Sequence, residues 1–124
     1  ESATTGLKTI YYVGNAGGMC VGTNPVTGLR GVWIFSSYAA ASKALDRGRE
    51  AGSLDRSVWV MSGPVSLAAQ ALRSGKNLCL ERGDLDLLRE DFLAFHISLP
   101  TQEDFPGGQP HVMFTLPASA ASVR

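Results

Sequence analysis

Gly31-Val-Trp-Ile-Phe-Ser-Ser37 and Ser57-Val-Trp-Val-Met-Ser-Gly63 are two versions of one phrase. Each ends in a small or hydroxyl-bearing turn and runs into an alanine-rich segment. The first segment closes at Ala44-Leu-Asp-Arg-Gly48 and the second at Ala71-Leu-Arg-Ser-Gly75. Asn77-Leu-Cys-Leu-Glu81 completes the series. Short β-branched and aromatic runs alternating with helix-length segments predict strand–helix–strand units and a parallel sheet. Val32 to Phe35 is apolar at every position rather than at alternate ones, as in strands covered on both faces.

The intervening segments read as helices. Ser36 or Ser37 is placed to cap the first, a hydroxyl accepting from free backbone N–H groups. Tyr38, Ala41 and Leu45 then fall on one stripe, and Gly48 is the expected stop. In the second, Pro64 suits a first turn, Leu67, Ala68, Ala71 and Leu72 form the apolar stripe, and Gly75 ends it. Asp84 is the expected cap of a third helix, with Leu85, Leu88, Phe92 and Phe95 on one face. Trp33 and Trp59 hold matching places in the two units, which predicts shared packing.

Upstream, Lys8-Thr-Ile-Tyr-Tyr-Val13 is strand-like. Gly14-Asn-Ala-Gly-Gly18 punctuates it, and Met19-Cys-Val21 reads as the return strand of a hairpin. Asn24-Pro-Val-Thr-Gly28 is a second turn, and Glu1 to Gly6 a loose lead-in. Downstream, Pro100 to Pro110 holds three of the six prolines and reads as a loop or lid. His111-Val-Met-Phe-Thr-Leu116 predicts a last, edge strand. The expected architecture is one α/β domain over residues 1–116. It is a mixed sheet with a central parallel βαβαβ repeat and an antiparallel N-terminal hairpin, followed by a disordered tail at 117–124.

Composition narrows the function classes. Eleven basic residues balance eleven acidic ones, so no global field favours nucleic acid or an anionic membrane. No apolar run reaches the roughly 18 residues of a membrane span. Two cysteines, Cys20 and Cys79, do not make a disulfide framework and read as free thiols, the usage of a cytoplasmic protein.

No catalytic motif is legible. Gly14–Gly18 lacks the lysine of a phosphate loop and the dinucleotide spacing, and no Gly-x-Ser-x-Gly elbow is present. His96 and His111 share no metal-ligand spacing with each other or with a cysteine, so no metal or cofactor is expected. The repeat itself points to candidates, because right-handed crossovers align the strand-to-helix turns along one sheet edge. That edge gathers Ser36, Ser37, Ser62, Gly63 and Arg82, free backbone donors and one cation that suit an anion. The plainer reading is that these serines and Asp84 are only helix caps. Tyr11 and Tyr12 point to opposite faces if they lie on a strand, so one of them should be exposed. Tyr11, Tyr12 and Phe105 are candidate partner contacts.

Ile10-Tyr-Tyr-Val13, the Phe35-Ser-Ser37 strand end before alanines, Val58-Trp-Val60 and Leu78-Cys-Leu80 together resemble the SseB-like family over roughly residues 8 to 84. Glu81-Arg82 departs from that family's usual Asn-Pro after the last strand. The resemblance implies a non-catalytic, protein-binding accessory or immunity-type module of a bacterial system, with another protein as partner. The opening Ile-Tyr-Tyr strand, the Phe-Ser-Ser end and Gln102-Glu103 also resemble the ADP-ribosyltransferase-like fold. That second likeness implies a small enzyme or toxin domain acting on NAD or another phosphate-bearing ligand. The opening strand lacks the arginine or histidine such a domain uses to hold NAD.

Overall fold

Continuous apolar strands need cover on both faces, and β4 (Arg30–Phe35) receives it. Val32 and Ile34 point into one core, Trp33 and Phe35 into another. The same split runs through β1 (Thr9–Asn15) and β6 (Leu78–Glu81): Ile10, Tyr12, Leu78 and Leu80 face one way, Val13 and Cys79 the other. The computed structural model of the chain describes residues 9–24, 27–52, 54–105 and 107–116. The lead-in and the tail expected at 117–124 lie outside the described residues.

The remaining strands are β2 (Gly18–Met19), β3 (Val21–Thr23), β5 (Trp59–Pro64) and β7 (His111–Phe114). The helices are α1 (Tyr38–Glu50), α2 (Val65–Arg73), α3 (Asp84–Leu87) and α4 (Arg89–Leu93), and a 3-10 turn spans Gln102–Asp104. The chain is a single α/β domain built on a seven-stranded mixed sheet. β4 and β6 are parallel neighbours, Val32 beside Leu78, and the other pairings are antiparallel.

One part of the repeat is placed differently from its expectation. β5 does not join β4 and β6 but pairs with β1, from Thr9 opposite Pro64 to Gly14 opposite Trp59. Both β4 and β5 are antiparallel to β1, so β4, β5 and β6 still run in one direction, with β1 inserted between the first two. The N-terminal hairpin therefore sits inside the sheet rather than at its side. β1 meets β4 only at Tyr11 and Tyr12. Beyond that they part, and the return segment fills the gap, β2 on β1 and β3 on β4. Two glycines permit these approaches. A Cβ on Gly14 would stand 2.4 Å from the Gly18 carbonyl oxygen, and one on Gly31 2.6 Å from that of Asn77.

Two of the helix-end signals act as expected. Ser37 caps α1, its side chain accepting from the Ala40 N–H at 3.2 Å. Gly75, at φ +93°, follows the C-cap of α2. Gly48, the expected stop, is instead a buried residue within α1. It is small because Leu54 packs on it: a Cβ there would lie 2.3 Å from a Leu54 methyl. Tyr38 leaves the stripe and is exposed, its ring edge-on to Tyr11 at 6.0 Å. Pro64 ends β5 as the N-cap of α2, one residue ahead of the first turn.

The third helix is two short ones broken at Leu88, which still bury Leu85, Leu88 and Phe92 completely. Asp84 makes no cap hydrogen bond; its carboxylate accepts from Ser36, just past the end of the neighbouring parallel strand β4. The two tryptophans also part company. Trp33 is buried at 8 % exposure, whereas Trp59 on the outer strand is 58 % exposed.

α2, α3 and α4 pack against one face of the sheet, and α1 packs against the other. A helix is about 10 Å across, and five adjacent strands span roughly 19 Å at their usual spacing. One helix cannot cover that width. The site described next occupies what α1 leaves open.

Candidate functional site

A cavity of about 710 Å³ opens on the α1 face. Its floor is the sheet: Val13, Trp33 and Phe35. One wall is α1, whose residues 40, 43, 44, 47 and 48 share a face by helical spacing. Ala40, Ala44 and Gly48 keep that wall low, and Lys43 and Arg47 are exposed at its rim. The opposite wall comes from the end of β6 and the start of β7: Glu81, Arg82, Gly83, Pro110 and His111. Gly22, Thr23 and the following turn close the third side, with Cys20 half-buried at its base. That turn is tied by the Asn24 N–H to the Leu29 carbonyl at 2.9 Å and the Gly28 N–H to the Asn24 carbonyl at 2.8 Å.

The floor is held by contacts of Trp33 on three sides. The Trp33 indole N–H donates to the Gly22 carbonyl at 3.0 Å. Its ring stacks on Phe35 at 6.3 Å and meets the His111 ring edge-on at 5.3 Å. An indole whose one donor is already satisfied presents only apolar surface to a ligand.

The far wall is polar and partly unsatisfied. β6 and β7 pair Glu81 with His111 across the ladder, so a carboxylate and an imidazole stand side by side. Burial holds the His111 pKa below its ordinary value; Glu81 pulls it up, and Arg47 across the cavity pushes it further down. Its Nδ1 is buried with no hydrogen-bond partner among the described residues. The Arg82 backbone N–H donates to the Pro110 carbonyl at 2.9 Å, and its Nη2 donates to the Gln102 carbonyl at 2.6 Å. Its Nη1 is also buried without a partner among the described residues. Lys43, Arg47 and Arg82 against Glu81 leave the lining two charges positive while His111 is neutral.

Arg82 is the one sequence-derived ligand candidate that lines this cavity. Ser36 is committed to Asp84, its backbone N–H at 3.1 Å from Oδ2 and its hydroxyl at 2.6 Å from Oδ1. Ser37 is the α1 cap. Ser62 and Gly63 lie on β5, beyond β1, and do not reach the cavity. The turns do share an edge, but only the first and third of them meet. Among the partner candidates, Tyr12 is buried in the core, Tyr11 is half-buried against Tyr38, and Phe105 packs on the core from the 3-10 turn. β1 is an interior strand, so neither tyrosine sits at a sheet edge.

Trp33, Lys43, Arg47, Glu81 and His111 line the cavity but are not among the site candidates that the sequence offers. The signal for α1 was present: small residues and cations alternate along Ala40, Lys43, Ala44, Arg47 and Gly48, beside the Ala41–Leu45 core stripe. Nothing local marks His111, which enters the site only through the β6–β7 register.

Cys20 and Cys79 are both free; burial pushes the Cys79 thiol up to about 12. Among the described residues no group of three His, Cys, Asp or Glu side chains is placed to hold a metal ion. No helix of the described residues is long and apolar enough to cross a membrane. No protein-family model matches the chain, and searches of curated proteins and of solved structures return no match.

Proposed function

We propose that this chain is a small-molecule-binding domain whose ligand carries an anionic group on a flat or apolar body. One observation carries the reading: a cavity of about 710 Å³ with an aromatic floor and an excess of cations on its walls. Ligand sites are typically concave, roughly 300–1,000 Å³, mostly apolar, and furnished with a few convergent polar groups. NAD or another phosphate-bearing compound belongs to this ligand class. Glu103, the glutamate of the ADP-ribosyltransferase likeness, is exposed on the 3-10 turn and does not line the cavity. Binding rather than group transfer is therefore the role proposed.

The test is a thermal-shift screen against nucleotides, aryl phosphates, aryl carboxylates and simple anions. A ligand at 100 times its Kd stabilises by about 2.7 kcal/mol, a readily measured rise in Tm. The rise should be lost in Ala44→Phe, which fills the cavity, and weakened in a Lys43→Ala/Arg47→Ala double variant. No shift from any compound, or a shift that survives Ala44→Phe, overturns the proposal.

A second reading, the protein-binding module implied by the SseB-like resemblance, is favoured by a different observation. Among the described residues β5 pairs on one side only and carries the exposed Trp59, with the Arg49 guanidinium 4.7 Å from its ring centroid. An extended partner segment adds to such an edge by backbone pairing. Trp59→Ala should abolish capture of that partner while leaving ligand-induced shifts intact; capture that persists argues against docking at this edge.

A further inference from the structure

We infer that the ligand's anionic group is received at the His111 end of the cavity and that His111 takes up a proton as the ligand enters. This rests on the binding reading above and adds to it a subsite and a regulation.

His111 presents one ring nitrogen to the cavity. Nδ1 is buried without a partner among the described residues, so Nε2 is the nitrogen assigned to the cavity that the ring lines. A neutral imidazole carries one proton, and the open Nε2 position is where it is hydrated. A protonated ring would add a second N–H at Nδ1, with no acceptor among the described residues, a cost that opposes protonation whether the cavity is empty or filled and that the charge of a bound anion must outweigh. Burial and Arg47 act in that same direction, opposed by Glu81.

The groups that share the cavity with the ring come from every element around it. Glu81 lies across the ladder on β6, with Arg82 next along that strand's end. Arg47 and Lys43 come from α1, Trp33 presents its ring from β4, and the Cys20 thiol lies at the base of the cavity. This set holds three fixed cations and one carboxylate, and Trp33 and Phe35 beside it offer flat apolar surface. An oxyanion attached to an aromatic ring matches both halves: ring on the floor, oxygens toward Arg47, Arg82 and His111.

Arrival of a negative charge beside the imidazole favours its protonated form and offsets the push from Arg47. Binding and protonation are then linked, so each must promote the other. Affinity rises as pH falls through the range where the free site is neutral and the occupied site is charged.

The experiment uses ligands whose own charge is constant between pH 5.5 and 7.5. Naphthalene-2-sulfonate and 2-naphthoate serve; naphthyl phosphate and inorganic phosphate, which themselves titrate in that window, are compared at pH 7.5 only, to separate oxyanion type from ring contribution. Calorimetric titration of the wild-type chain should give a Kd severalfold lower at pH 5.5 than at pH 7.5, a shift of about one unit in a single group capping the change at about tenfold. Proton uptake should appear as a dependence of the heat on buffer ionisation enthalpy. His111→Gln, which keeps a neutral donor, should bind at pH 7.5 but lose both the pH slope and the proton uptake. Binding that is independent of pH, or a slope retained in His111→Gln, overturns this inference and leaves the cavity reading standing. Absence of binding at every pH overturns both. In the free protein, the His111 ring resonance should titrate below the ordinary histidine range; a titration above it refutes the inference without any ligand.

Discussion

The Ser36–Asp84 contact offers a decisive perturbation, because local and tertiary readings of Asp84 predict different outcomes. As a helix cap, Asp84→Asn would be close to neutral, since asparagine caps as well as aspartate. In the structure, Asp84 is 3 % exposed and accepts two hydrogen bonds from Ser36, at 2.6 and 3.1 Å, across 48 positions of sequence. A hydrogen bond to a charged group contributes about 1.5–3 kcal/mol, and Asp84 accepts two of them from a part-buried Ser36. Asp84→Ala should therefore destabilise by about 4 kcal/mol, Ser36→Ala by about 2, and Asp84→Asn by about 2 through loss of charge and of one acceptor geometry. A domain of ordinary stability, about 5–15 kcal/mol, survives each change. Urea denaturation at pH 7 reads these as shifts in midpoint at unchanged slope. The double variant should show coupling of about 1–2 kcal/mol, as for groups in direct contact. Neutral Asp84→Asn with no coupling to Ser36 would refute the clamp and restore the cap.

Other outcomes follow from the same coordinates. Gly31→Ala should destabilise by about 2–3 kcal/mol, as overpacking does, because its Cβ would press on the Asn77 carbonyl; a neutral result in denaturant would contradict that close approach. His96 follows α4 at φ 63°, where the Ile97 N–H donates to the Phe92 carbonyl and the His96 N–H to that of Leu93. Glycine there should stabilise by about 1 kcal/mol by relieving the left-handed strain, seen as a raised Tm. With Cys79 buried and its thiol pushed up to about 12, an aromatic disulfide reagent at pH 8 should titrate only Cys20 in the native protein and both thiols after denaturation.

Hydrogen bonds from Arg89 and then Gln102 hold the Asp86 carboxyl below its ordinary range. A folded-state pKa below the unfolded one gives stability that is present above the unfolded value and lost as pH falls through the folded one. Asp86→Asn should therefore flatten the acid limb below about pH 4, and Gln102→Ala should raise the Asp86 titration measured by NMR.

Local chemistry was enough for the parts of this chain whose determinants lie within a few residues. Ser37 caps α1 because its hydroxyl reaches a backbone N–H three positions on, and Gly75 ends α2 because only glycine adopts its backbone angle without strain. The unbroken Val32–Phe35 run announced a strand covered on both faces, and that alternation assigns the two cores. The class of fold was legible on this basis, and so was the place of Arg82 at the turn after β6, where it lines the cavity.

Pairing partners were not. The runs at Val32 and Val58 read alike, yet one lies at the centre of the sheet and the other on its outer edge, and that difference separates Trp33 at 8 % exposure from Trp59 at 58 %. Periodicity reports which face of a segment is apolar, while the neighbour that covers the face is chosen by packing over the whole chain. Asp84 looked like a cap because its partner stands 48 residues away. His111 and Glu81 became a pair only through the β6–β7 register, and Lys43 and Arg47 met them only because one helix is too narrow for the sheet beneath it. Strands, helices and their ends were thus decided by short-range sterics and hydrogen bonding. The cavity and its charge belong to the tertiary structure, because a concave site is made of the distances between elements, and no single segment contains them.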